Sequence, residues 1–301
     1  MIWKVIAAVR SGHGKIHSDN EDSYFFNGYF PSLDRMNAEA EKTGKFPCQG
    51  AMFAVCDGVG GRSMGEMASH TAVSGMISLQ RYISGRDFKK TLQSWVSQAD
   101  QVIHQRTNGG GTTLALLYFQ ENDICYGHIG DSRIYRYHEN QLTRLTRDHS
   151  RMEYLLSEGL IQPEEVRTHP DRHVITRCLG MNSDEFICEA TIGESQPMVE
   201  GDRYLLCSDG ITDMLEDSEI AQCLAPDRME TPLACARELY RRAMEKGGLD
   251  NLTAIVLDVS QVDDMSDGIA QADEAPVVGG QDESTSRTVN LSDKYEKTVE
   301  I

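Results

Sequence analysis

Apolar residues fall along this chain in two rhythms, and each change of rhythm marks an element. Short runs at Val5 to Val9, Tyr24 to Phe26, Ala51 to Cys56, Leu114 to Phe119, Ile124 to Ile129, Arg133 to Tyr137 and Leu142 to Leu145 have the length and composition of strands. Polar turns at Glu121-Asn122 and Glu139-Asn140 separate the later ones, and connections that short pair strands antiparallel. After Gly61 the period becomes helical. Met64, Met67, Ala68, Thr71, Ala72, Gly75, Met76 and Leu79 form one apolar stripe, and Phe88, Leu92, Trp95, Val96, Ala99, Val102 and Ile103 form a second. Further strands are predicted at Phe186 to Ile192, Arg203 to Asp209 and Leu252 to Leu257, with helices over Asp217 to Leu224 and through Leu233, Leu239 and Met244.

Three stretches break the pattern. Asn27 to Gly50, with Pro31, Pro47, Gly28 and Gly44, reads as a long loop or short helical excursion that forms a rim over the site. Residues 146–181 alternate short helical pieces with Pro163 and Pro170, so they read as a mobile flap whose histidines are solvated or locally hydrogen-bonded. From Gln261 to Ile301 ten acids face three bases, a net of −7, and no period is sustained. Such a segment buries too little surface to offset its ordering entropy, so residues 1–260 are expected to form the domain and residues 261–301 an acidic, disordered tail.

The candidate chemistry lies where the apolar runs stop. Phe53 to Cys56 ends at Asp57-Gly58-Val59-Gly60-Gly61, and Tyr204 to Cys207 leads through Ser208 to Asp209-Gly210. Asp250-Asn251 precedes the last strand, Asp22 precedes Phe25-Phe26, and Asp131 lies in Gly130-Asp131-Ser132-Arg133. One Asp-Gly is an ordinary turn, and Asp131 alone reads equally well as a turn residue. Recurrence is what points to a shared site. An acid at the end of a buried strand needs a counter-charge, and glycines let backbone carbonyls approach a ligand. Oxygen donors with no Cys or His among them select Mg²⁺ or Mn²⁺ over zinc. Gly12-His13-Gly14-Lys15 lacks the spacing of a phosphate loop, and Asp19 to Gly28 lacks the glycine and terminal glutamate of a calcium loop.

Charge and cysteine use narrow the setting. With 29 basic and 47 acidic residues the formal charge is −18, which disfavours nucleic acid and anionic membrane as partners. No apolar run approaches the roughly 18 residues of a membrane span. The eight cysteines are scattered singly and several sit in apolar runs, as free thiols do in a reducing, cytoplasmic setting.

Taken together, Asn20-Glu21-Asp22, Asp57-Gly58-Val59-Gly60-Gly61, Gly65-Glu66, Gly111-Thr112-Thr113, Gly130-Asp131-Ser132-Arg133, Ser208-Asp209-Gly210 and Asp250-Asn251 resemble, in order and spacing, the metal-dependent protein phosphatases of type 2C, the PPM family, most of all its bacterial branch. The resemblance runs from about Val5 to Val259. It implies an α+β fold, a four-layer α/β/β/α sandwich of two stacked antiparallel sheets flanked by helix pairs. It implies two tightly bound Mn²⁺ or Mg²⁺ ions, with Asp57 bridging both, the Gly58 carbonyl on one, and Asp209 and Asp250 on the other. Asp131 with Asp209 would hold a third, weaker ion, and Asp22 would orient the attacking water.

The implied activity is hydrolysis of phosphoserine and phosphothreonine in phosphorylated proteins, opposing a cognate Ser/Thr kinase. A catalytically inactive signalling module on the same fold is the alternative. Two positions depart from the family pattern. Val59 stands where many eukaryotic members carry a histidine proposed as general acid, and His17 stands where a phosphate-binding arginine is usual. His17 and Arg62 are therefore the candidate phosphate contacts, with Arg10 and Lys15 also near in sequence.

Overall fold

The computed structural model describes residues 2–60, 64–181 and 188–262. Alternation along the strands decides which way each side chain faces. In β1 (Ile2–Gly12), Val5, Ala7 and Val9 point into a layer between two sheets. Tyr24 and Phe26 of β2 (Asp22–Phe26) join them there, with β3 (Ala40–Pro47) adding Phe46 at the edge. In β4 (Met52–Val59), Phe53 and Val55 enter this layer, while Met52, Ala54 and Cys56 face the opposite way.

The helical stripes of α1 (Met64–Tyr82) and α2 (Phe88–Thr107) cover that opposite face. The chain then returns through β5 (Gly111–Thr112), β6 (Leu114–Gln120), β7 (Asp123–Ile129), β8 (Arg133–His138) and β9 (Gln141–Arg144). α3 (Arg151–Ser157) and the short β10 (Thr191–Ile192) and β11 (Gln196–Pro197) follow, then β12 (Arg203–Cys207). Three helices, α4 (Asp209–Met214), α5 (Asp217–Leu224) and α6 (Pro232–Glu245), precede the closing strand β13 (Leu252–Val262).

All the pairings are antiparallel, and they make two sheets. One has the order β3-β1-β13-β12-β8-β9, the other β10-β7-β6-β4-β2, with β11 on β7 and β5 on β4. Tyr204 and Leu206 of β12 and Ile255 and Leu257 of β13 complete the inter-sheet layer, while Leu205, Cys207, Ala254 and Val256 pack under α5 and α6. Each large apolar side chain buried here contributes about 1.5–3 kcal/mol. The result is the expected four layers, with α4 as a short addition beside the second helix pair. Among the described residues no helix is long and apolar enough to cross a membrane.

Several expectations change. Residues 40–47 are not a loop over the site but an edge strand, paired with β1 from Lys4↔Pro47 to Ser11↔Ala40. Its alternating exposure was hidden by charged residues, which blunt such an edge. β4 does not end at Cys56 but continues through Asp57 to Val59, where Gly58 pairs with Thr112. Asp209 does not close a strand but opens α4. β13 reaches Val262, two residues into the stretch that composition assigns to the tail, because Gln261 and Val262 pair with Trp3 and Ile2. Phe186 and the tail beyond Val262 lie outside the described residues.

Candidate active site

The strands that fill the inter-sheet layer keep their phase to its end, and at one end the residues change from apolar to polar. Val5, Ala7 and Val9 are followed in phase by Ser11, and Tyr204 and Leu206 by Ser208. Read back along their strands, Ile255 leads to Thr253 and Tyr24 to Asp22, while Phe53 and Val55 lead on to Asp57. Ser11, Asp22, Ser208 and Thr253 are all buried. Asp22 and Asp57 are register partners across β2 and β4, so the sheet itself brings two acids side by side.

A hydrogen-bonded frame fixes them. Ser208 Oγ donates to Asp22 Oδ2 at 2.6 Å and accepts from Thr253 N at 3.1 Å. Thr253 Oγ1 lies 2.8 Å from Ser11 Oγ, which accepts from Asn20 Nδ2 at 3.2 Å. Asp57 N donates to Thr113 Oγ1, itself 2.7 Å from Ser132 Oγ, and the Asp57 carbonyl accepts from Thr113 N at 2.8 Å. Asn251 ties the two ends of the chain together: its Oδ1 accepts from Glu21 N at 2.7 Å, and its Nδ2 donates to the carbonyls of His13 and Asp19. A Cβ on Gly58 would stand 2.2 Å from the Gly65 carbonyl oxygen and 2.6 Å from that of Glu21, so only glycine fits there.

The acids have one oxygen and much charge left over. Asp22 Oδ1 is buried and has no hydrogen-bond partner. Burial pushes its carboxyl up to about 7, with Asp250 and Glu21 adding to the rise against the hydroxyls of Ser208 and Thr253. Asp57 is pushed well above the carboxylate range by burial, then by Asp22, Asp209, Asp131 and Asp250. Asp209 rises in the same way, through burial and then Asp131, Asp213, Asp250 and Asp22. Asp131, in the turn after Gly130, is pushed up to about 7 by burial and by Asp148. The guanidinium of the nearby Arg133 is already committed to Asp148, with its shortest contact at 2.7 Å.

Among the described residues no lysine or arginine pairs with Asp22, Asp57, Asp131 or Asp209. Carboxylates crowded this way either keep their protons or hold cations. The donor set is all oxygen and fits hard divalent ions. Asp22, Asp57, Asp131, Asp209 and Asp250 are thus electrostatic neighbours in the folded chain.

The remaining candidates divide. His17 is half-exposed, with Nε2 3.6 Å from Asp250 Oδ1, so it stands at the edge of the acid group. Arg62 lies outside the described residues. Arg10 is engaged by Glu39 and by the face of Tyr240, so it is not free to serve the site.

Two residues were missed. His173, in the flap, puts Nδ1 3.3 Å from Asp213 Oδ2, and potential ligand atoms of His173, Asp209 and Asp213 lie within 4.8 Å of one another. The flap histidine is therefore drawn to the acids, because the segment packs on α4: Arg167 binds Glu216 at 2.6 Å and the carbonyls of Thr212 and Leu215. Nothing local in the sequence signals that contact. The frame residues Ser11, Ser208 and Thr253 were also missed, but continuing the period of two past each apolar run finds them.

The family described as Protein phosphatase 2C matches residues 43–246, a range that includes Asp57, Asp131 and Asp209. The serine/threonine protein phosphatase PstP of Mycobacterium tuberculosis is 32% identical over 263 residues, covering 85% of this chain and 45% of that protein. This chain thus spans less than half the length of that relative. The protein phosphatase PhpP of Streptococcus pneumoniae is 34% identical over 227 residues, 70% of this chain and 87% of its own. A crystal structure of the PstP catalytic domain in complex with two manganese ions matches with a TM-score of 0.68 at 30% identity, covering 86% of this chain and 100% of that one.

Proposed function

Because the chain belongs to the protein phosphatase 2C family, we propose that it is a Mn²⁺- or Mg²⁺-dependent phosphatase hydrolysing phosphoserine and phosphothreonine esters of proteins. The observation that carries this reading is the acidic end of the inter-sheet layer, where Asp22, Asp57, Asp131 and Asp209 are pushed upward together without a lysine or arginine partner among the described residues. Asp57, the Gly58 carbonyl, Asp209 and Asp250 would hold two ions, and Asp131 with Asp209 a third, weaker one. Such a pair, when bound, lowers the pKa of water toward neutrality and neutralises phosphate oxygens.

The chain's own groups do the rest. Ser208 fixes Asp22 through Oδ2, leaving Oδ1 as the atom that accepts a hydrogen bond from the attacking water and orients it. A protein nucleophile is disfavoured. Cys56 and Cys207 flank the acids in sequence, but both are fully buried and burial pushes their thiols far up, Cys207 to about 12. A thiolate would be scarce there. His17, which lies beside Asp250, would meet a substrate phosphate in this reading. Its substrates imply a Ser/Thr kinase that makes them, and eight free cysteines support a reducing cytoplasmic setting.

The test is release of phosphate from a phosphothreonine peptide, and of p-nitrophenol from its phosphate ester, with and without manganese after chelation. Turnover that needs the ion supports the reading. Turnover indifferent to chelation, or none at saturating manganese, overturns it.

A further inference from the structure

The flap starts with an imidazole that grips the turn carrying Asp131. β7 ends at Ile129 and β8 begins at Arg133, so residues 130–132 form that turn. Gly130 is buried and takes a positive φ of 90°, and a Cβ on it would stand 2.6 Å from Thr113 Cγ2. Both of its backbone polar groups go to one residue. His149 N donates to the Gly130 carbonyl at 2.8 Å, and Gly130 N donates to His149 Nδ1 at 3.1 Å. A ring nitrogen thus stands where a strand neighbour would offer a carbonyl. On the other side of the same turn, Ser132 Oγ lies 2.7 Å from the Thr113 hydroxyl that accepts from Asp57 N.

Three contacts orient the ring. Because Nδ1 accepts, the hydrogen of the neutral imidazole sits on Nε2, which lies 2.8 Å from Thr191 Oγ1. One face stacks on His128, with centroids 4.7 Å apart and planes at 22°. His128 is fixed in turn, since its Nε2 lies 2.7 Å from the Arg147 carbonyl and it is the register partner of Thr191. Burial, with His128 and Arg177 beside it, pushes the His149 pKa down to about 3, so Nδ1 stays a bare acceptor at ordinary pH. The same residue also carries the flap. Its carbonyl accepts from Thr176 N at 2.7 Å, and Arg151 N donates to the Val174 carbonyl at 2.8 Å, so the outgoing and returning arms of the flap pair where they leave the sheet. Leu179, farther along the returning arm, exchanges two hydrogen bonds with Thr112, the register partner of Gly58.

We propose that His149 is a positioning residue: it clamps the Gly130 turn so that Asp131 keeps the place from which it serves the weaker ion, and it ties that place to the flap. This rests on the reading of Asp131 as a ligand. His149 acts through Gly130 and not on the reacting atoms. Groups that orient a ligand from behind typically carry a 10- to 100-fold share of metal affinity. Removing the ring acceptor leaves the buried Gly130 N–H without a partner, and the turn must shift to find one. Asparagine carries an amide oxygen at the same reach from the backbone as Nδ1, so it can keep that bond. Phenylalanine keeps the ring and its stacking on His128 but offers no acceptor.

The test compares the native full chain with His149→Phe and His149→Asn. In the metal-free native protein, proton–nitrogen correlation spectra of the imidazole should show the hydrogen on Nε2 and a bare Nδ1. Exchange of the Gly130 amide hydrogen should accelerate by roughly 10-fold in His149→Phe, the scale of one lost hydrogen bond, and stay near native in His149→Asn. In calorimetric titration with manganese, His149→Phe should loosen the weakest bound ion by roughly 10-fold and leave the tight pair unchanged, with recovery in His149→Asn. Should His149→Phe not fold, His149→Gln, whose longer amide carries its acceptor past Gly130, replaces it in each comparison. A hydrogen on Nδ1 overturns the proposal with no variant needed. So does a Gly130 amide that exchanges alike in the native chain and His149→Phe, an asparagine variant as impaired as the phenylalanine one, or an equal loosening of every ion, which marks a merely structural role. Asp131→Ala separates the clamp from the reading beneath it. If that variant leaves the manganese titration native while Gly130 exchange responds to His149 as expected, the weaker-ion assignment of Asp131 falls and the clamp on the turn stands.

Discussion

β12 has an aspartate beyond each end, Asp202 buried and Asp209 partly so, and the two live in opposite surroundings. Asp202, just before the strand, is met by Arg136 at 2.8 Å, by His138 Nδ1 at 3.0 Å, by the Tyr204 hydroxyl at 2.9 Å and by Val199 N at 2.9 Å. Asp209, just after it, faces Asp131, Asp213, Asp250 and Asp22. Strand chemistry does not separate them, since both terminate the same buried run. The difference is compensation: a carboxylate that serves the fold has its partners built in, whereas one that serves a ligand is left short of them. Stability and activity should therefore respond in opposite senses to neutralising an acid at the two ends.

The largest effect is expected at Asp57, which shares the uncompensated surroundings of Asp209. Asp57→Asn should cut manganese-dependent hydrolysis by about 10³-fold or more, on the order of 4 kcal/mol in barrier. The metal-free melting temperature should stay level or rise, because a repelling charge has gone. Steady-state rates and calorimetry on one preparation check both halves. A fall in melting temperature would erase the contrast with Asp202.

At the compensated end, Asp202→Asn should cost about 2–4 kcal/mol of stability by leaving Arg136 without its anion. Turnover per folded molecule should be nearly unchanged. Denaturant titration with an active-site count tests it, and a selective loss of turnover would join the two ends functionally.

The contrast sharpens with pH. Asp22 and Asp131 titrate near 7 in the folded chain, above the ordinary carboxylate value, so the folded state binds more protons than the unfolded one across the interval between. Stability of the metal-free protein should accordingly fall as pH rises from about 4 to about 7. Saturating manganese should flatten that slope, since it supplies the missing counter-charge. Melting temperatures at both ends of the interval, with chelator and with manganese, would reveal it; a rising metal-free curve contradicts the assignment.

The smallest effect is at the rim. Arginine is charged at every working pH and offers a planar fork to phosphate, whereas an imidazole offers less charge as pH rises. His17→Arg should lower KM for a phosphopeptide at pH 8 by roughly 2- to 5-fold, about 0.5–1 kcal/mol, with little change in kcat. A KM equal to or above that of the native chain would remove His17 from the phosphate path.

Much of this was legible because periodicity survives burial. The stripes of Met76, Leu79, Leu92 and Trp95 place both helices of the first outer layer, and the strand acids converge in the folded chain. What failed has physical causes. β3 is an edge strand whose charged residues mask its alternation, so Glu41, Lys42 and Lys45 read as loop. The strand before Asp57 reads as stopping at Cys56 because glycines follow the acid, but Gly58 is demanded by close backbone packing within a continuing strand. His173 meets Asp213 across 40 residues of chain, and no local pattern encodes such a contact.

The pairing of β1 with β13 also sets a time. Of the acids that the site needs, Asp22 and Asp57 are made early, but Asp22 is held by Ser208, Ser208 by Thr253, and the loop before Asp22 by Asn251. A chain still on the ribosome and lacking its last strand carries a half-built acid group with no frame to align it. Contacts this distant along the sequence form late in folding. Dephosphorylation should thus switch on abruptly, only once Val262 has emerged, and truncated translation products should be silent rather than partly active.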